Sequence, residues 1–156
     1  MLDWDKIKNR TAELYGEATL KARQYTPESF SKEKQFVNAL VISLALMTMA
    51  DKKAETDEVT AALELINEIN EIKELDMTQD AIELYGIHIE DLEKVIGNNV
   101  KWTVTVAKLL SEIGRIKSHN EYPAMVKNLL DYMAEADGNF DETEKEMKEK
   151  ILAVLS

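Results

Sequence analysis

Two stretches of this chain carry carboxylates at one spacing. Asp51, Glu55 and Glu58 form the first set, and Asp137, Asp141 and Glu144 the second; the offset is constant, 137 − 51 = 86 and 144 − 58 = 86. Flanking positions keep the same offset, with Met47 and Ala50 against Met133 and Ala136, Leu44 against Leu130, and Leu65 against Ile151. An internal repeat of this kind is read before anything else, because it dictates architecture. Each copy puts an acid at the end of one helix, a second acid four residues on, and a third one helical turn later. In a helical hairpin the chain doubles back, so three such carboxylates can converge near the turn. Oxygen-only donor sets suit Ca²⁺, Mg²⁺ or Mn²⁺ and not thiophilic metals. In the second copy Asn139 adds an amide oxygen, and Gly138 allows a left-handed backbone at no Cβ penalty.

The spacing is not that of an EF-hand. Counted from Asp137, glycine stands at position two, position six is Glu142 and position twelve is Lys148, whereas that loop needs glycine at six and glutamate at twelve. Helix capping competes with a cation as the reason for these acids. Asp141-x-x-Glu144 reads as a capping box, and acids in a first helical turn are favoured by the helix dipole. Capping leaves Asp51 and Asp137 unexplained, since both stand where a helix ends and the dipole disfavours anions.

The elements that position these acids are helical. Five glycines and two prolines punctuate 156 residues, and no long segment alternates with period two. A first helix is expected from about Asp3 to Tyr25, ended by Thr26-Pro27. A second, apolar nearly all round, runs from about Ser31 to Met49, as a central helix should. A third starts near Thr56 with Val59, Leu63, Ile66 and Ile69 on one stripe. Two short helices follow, near Gln79–Tyr85 and Glu90–Ile96, with Gly86 and Gly97 as breaks. A longer helix spans about Asn99 to Ile116, with Val100, Val104, Ala107, Leu110 and Gly114 facing inward. Pro123 opens the next, which ends near Ala136, and the last covers about Asp141 to Val154. The expected fold is all-α: a single domain over residues 1–156, a compact bundle of about seven or eight helices. Residues 1–30 form an N-terminal helix and linker, and residues 31–156 a duplicated core of helix–acidic turn–helix units.

Composition narrows the function classes. There are no cysteines, which excludes disulfides, thiolate zinc sites and cysteine nucleophiles. A net charge of −11 argues against nucleic acid and anionic membrane as partners, and suits cations or basic proteins. The N-terminus, with Asp3 and Asp5, does not read as a signal peptide. The uncharged run from Phe36 to Ala50 is too short to span a bilayer. His88 and His119 lack a second imidazole at ligand spacing and read as structural or solvated. Trp4 and Trp102 read as packing residues, Trp4 alternatively as an anchor for a partner. No nucleophile elbow, P-loop or dinucleotide fingerprint is present.

The stretch Asp137-Gly138-Asn139-Phe140-Asp141-x-x-Glu144 resembles the signature of the tellurite-resistance TerB family. The likeness extends to the opening Leu2-Asp3-Trp4-Asp5-Lys6-Ile7-Lys8, to Gln24-Tyr25, and to Met49-Ala50-Asp51 in the first acidic turn. The resemblance implies a pseudo-symmetric fold of seven or eight helices and cytoplasmic work in stress response. It also implies protein partners within a membrane-associated, metal-sensing assembly, without insertion of this chain into the membrane. By the same resemblance Asp137, Asn139, Asp141 and Glu144 would be one ligand set and Asp51, Glu55 and Glu58 another, for Ca²⁺ first and Mg²⁺ or Mn²⁺ as alternatives. One departure makes the sets unequal. Lys52 stands where the second copy has Gly138, so the first set is expected to be weaker or neutralised by a lysine ion pair.

The leading expectation is a non-enzymatic, metal-binding stress protein, with a homo-oligomer as a further possibility. The competing one is an acidic protein–protein interaction module whose carboxylates only cap helices and set charge. A metal-dependent enzyme ranks last, because no distinct nucleophile or base accompanies the acids.

Overall fold

The computed structural model describes residues 2–3, 5–7, 26–53, 55–119, 121–136 and 140–156. The expected first helix therefore lies largely outside the described residues, as do Trp4 and Gln24-Tyr25. A 3-10 turn at Pro27–Ser29 leads into seven α-helices: α1 Lys32–Thr48, α2 Thr56–Glu68, α3 Asn70–Glu74, α4 Thr78–Val95, α5 Asn99–Gly114, α6 Tyr122–Ala136 and α7 Glu142–Leu155. No strand occurs among the described residues.

Helix α1 starts where Ser31 caps it, its hydroxyl accepting from the Lys34 amide at 3.1 Å. From Phe36 through Met47 every residue is buried, which is what an apolar circumference demands. The polar members of that run are satisfied locally. Ser43 Oγ donates to the Ala39 carbonyl at 2.7 Å, and Asn38 meets His88 of α4 with Oδ1 and Nε2 2.8 Å apart. Truncating a core leucine such as Leu44 to alanine would cost roughly 2–5 kcal/mol, because the surroundings relax only partly into the void.

The other long helices surround α1. Packing runs from α2 to α4, α4 to α5, α5 to α7 and α7 to α6, and all five also touch α1. The circuit is open at one place: α2 and α6 share no contact of comparable extent. Each helix turns one stripe inward, Val59, Leu63 and Ile66 on α2, Val126 and Leu130 on α6, and Met147 and Ile151 on α7. The chain start is pinned to the same body, Leu2 N donating to Glu93 Oε2 at 2.8 Å and Asp3 N to Thr56 Oγ1 at 3.1 Å.

The duplicated units are the α1–α2 and α6–α7 hairpins, whose second helices begin at the repeat offset, 142 − 56 = 86. Three expectations need correction. The two short helices near Gly86 are one, α4, which runs through that glycine. A glycine inside a helix costs about 1 kcal/mol, and the buried stripe of Ile82, Tyr85, Ile89 and Leu92 outweighs it. The short α3 was not expected; it ends in a Schellman motif, with Asp76 at φ 55° and Met77 N donating to the Ile72 carbonyl at 3.1 Å. On α5 the inward stripe is Trp102, Val106, Leu109 and Ile113, while Val100, Val104 and Ala107 face outward.

Candidate cation site

The first acidic turn follows from how α1 ends. Lys52 takes φ 61°, a left-handed conformation that costs about 1 kcal/mol for a residue with a Cβ. Two local bonds offset that strain. Lys53 N donates to Asp51 Oδ1 at 3.0 Å, and Lys52 N to the Met49 carbonyl at 2.9 Å. Asp51 at the helix end therefore has a structural role after all, as the acceptor of a turn that mimics a backbone bond.

Lys52 does not neutralise the acids beside it. Its Nζ donates to Asn99 Oδ1 at 3.1 Å and lies 5.7 Å from the centroid of the Trp102 ring. Among the described residues, no ion pair joins Lys52 or Lys53 to Asp51, Glu55 or Glu58. The expected lysine ion pair is thus replaced by a contact with the start of α5.

The two copies differ at the start of their second helices. Asp141 caps α7, its Oδ1 accepting from Glu144 N at 2.9 Å and from Thr143 Oγ1 at 2.7 Å. The Thr143 hydroxyl first, and then the Glu144 amide, hold this carboxyl below its ordinary range. Glu55 occupies the equivalent position on α2 but makes no cap bond. It shares a hydrogen bond with the Glu58 carboxyl instead. Glu58 is pushed up to about 7, first by partial burial of its carboxyl and then by the charge and hydrogen bond of Glu55. The negative charges of Asp51 and Glu144 add to the rise.

Glu144 thus crosses from the second copy to the first. It lines one cleft of about 430 Å³ together with Asp51 and Glu58, above Met47, Thr48 and Met133. Tyr85 braces the floor by donating from its hydroxyl to Thr48 Oγ1 at 3.2 Å. Spacing alone could not have brought Glu144 and Met133 onto one cleft with Asp51, Glu58 and Thr48, since the two hairpins meet only in the fold. Asp137, Gly138 and Asn139, with the amide and carboxylate oxygens expected of the second ligand set, lie outside the described residues. Among the described residues, no three carboxylates or imidazoles stand together at metal-ligand distances.

The histidines belong elsewhere. His88 is buried in the core on Asn38, and His119 is half-buried, tilted against Tyr122 with ring centroids 6.5 Å apart. Trp102 packs in the core, as expected. No helix among the described residues is long and apolar enough to cross a membrane. No family model, curated protein or solved structure matches this chain.

Proposed function

We propose that this chain is a non-enzymatic, cytoplasmic stress-response protein of TerB-like character that binds a divalent cation, Ca²⁺ first and Mg²⁺ or Mn²⁺ as alternatives. The observation that carries the reading is the meeting of Asp51 and Glu58 with Glu144 on one cleft, although the two turns are 86 residues apart in sequence. The carboxylates of Asp51, Glu55 and Glu144 repel that of Glu58 and favour its protonated form. A hard cation would relieve that repulsion and release the proton. In this reading Glu55, Asp137, Asn139 and Asp141 supply the remaining oxygens, and the cation-loaded form addresses protein partners in a membrane-associated assembly.

Calorimetric titration with Ca²⁺, Mg²⁺ and Mn²⁺ tests this. Saturable binding is expected, weakened at least about tenfold, or 1.4 kcal/mol, in each of Glu58→Gln, Glu144→Gln and Asp137→Asn. A hundredfold excess over Kd should also stabilise the fold by about 2.7 kcal/mol against a melt in EDTA. No heat and no shift with millimolar amounts of any of the three ions would sink the reading.

A second reading has its own support. Asp51 and Asp141 both bond to backbone amides, so these acids have work to do in a plain acidic interaction module. Wild-type melts indifferent to EDTA would favour it.

A further inference from the structure

The opening between α2 and α6 is a groove. Its floor is one stripe of α1, Phe36, Leu40, Leu44 and Met47, which covers about 17 Å at 1.5 Å per residue. Leu65 of α2 and Leu129 and Tyr132 of α6 form half-buried to exposed walls, enclosing adjoining spaces of about 340 and 430 Å³. All the charged side chains lining it are acidic: Asp51, Glu58, Glu64, Glu68, Glu71 and Glu144. Glu68 also meets Lys73, loosely, at 4.0 Å.

The other half of a contact lies on α5. Val100, Val104 and Tyr132 are the large hydrophobic side chains left exposed among the described residues, at 74%, 63% and 56%. Val100, Val104, Ala107 and Ser111 recur at i, i+4, i+7 and i+11 and are all exposed. They make a stripe of about 17 Å, the length of the groove floor. The exposed Lys101 and Lys108 flank that stripe on one side.

We infer that copies of this chain associate head to tail, the Val100–Val104–Ala107 face of α5 entering the α2–α6 groove of a neighbouring copy. The entering face packs on Leu65, Leu129 and Tyr132 above the already buried α1 stripe, and its lysines meet an acidic rim. Symmetric alternatives are disfavoured by charge, since groove on groove opposes acid to acid and α5 on α5 opposes lysine to lysine. In the circuit of helices α5 is the member farthest from the opening, with two helices on either side of it. A contact between two such separated surfaces is heterologous and extends beyond a dimer. It does not depend on whether a cation binds.

Complementary variants test this. Tyr132→Glu spoils the groove and Val104→Glu spoils the face, both at exposed positions where the fold tolerates substitution. Sedimentation over a roughly hundredfold concentration range should show wild-type mass rising with concentration and falling at high salt. Each variant alone should be monomeric at 17.8 kDa. Their equimolar mixture should stop at a dimer of 35.6 kDa (17.8 + 17.8), because one intact groove and one intact face remain. If circular dichroism shows either variant unfolded, Glu64→Lys and Val100→Glu replace them. A wild type that stays monomeric, a single variant that still associates, or a mixture that stays monomeric would each overturn the proposal. So would a monomeric wild type whose groove binds an amphipathic leucine–lysine peptide, since the occupant would then be another protein.

Discussion

The buried imidazole of His88 should make the fold acid-sensitive by a calculable amount. Burial first, and then the nearby charge of Lys108, lower its pKa from 6.5 to about 3. The bond to Asn38 Oδ1 at 2.8 Å places the proton of the neutral ring on Nε2, because a carbonyl oxygen only accepts. The folded pKa lies below the unfolded one, so the unfolded chain takes up the proton first. Stability is therefore intact above pH 6.5 and is lost as pH falls toward 3. At roughly 1.4 kcal/mol per unit, the loss is about 1 kcal/mol at pH 5.5 and about 3 kcal/mol at pH 4.5. That is a large share of an ordinary domain's stability of roughly 5–15 kcal/mol. Urea unfolding of wild type and His88→Gln at pH 7, 5.5 and 4.5 measures it, the carboxylates titrating alike in both and cancelling in the difference. The difference between the two proteins should follow those figures. A flat difference, or a His88 ring that titrates near 6.5 in the folded protein by NMR, would refute the reasoning.

Two further outcomes follow from the acidic turn. Lys52→Gly removes the left-handed strain but also the Asn99 bond and the Trp102 contact, so stability should change by less than about 0.5 kcal/mol in a thermal melt. Cation affinity should barely move in that variant; a tenfold gain would mean that the ammonium sits among the carboxylates. Glu58→Gln should stabilise the metal-free protein at pH 8 but not at pH 4. The raised pKa of Glu58 means its folded-state advantage is present below pH 4.5 and lost as pH rises through about 7. Solvent screening at this exposed side chain limits the gain to about 1 kcal/mol or less, and denaturation in EDTA reads it.

Much of the helical framework was legible because local signals agreed. Ser31 and Asn98 cap α1 and α5 with their side chains, and the apolar circumference of α1 announced a central helix. The inward face of α5 is not fixed by pattern, because Val100, Val104 and Ala107 make as good a helical stripe as Trp102, Val106 and Leu109; packing against α1, α4 and α7 selects the latter. Gly86 misled for a related reason, as tertiary burial overrode a weak local preference. At the site, the Asp141 cap was readable from spacing. The Asp51 turn bond was not, because it depends on the backbone angle at Lys52, nor was the approach of Glu144 to Glu58, a contact between residues far apart in sequence.

Glu58 and Glu144 occupy the same position in the two repeats, and they are neighbours in space. Equivalent groups that line one cleft can share a single ion. Under the proposed function the two turns would count as one site and not two, so that titration should end near one cation per chain, and a substitution in either turn should be felt by the same ion.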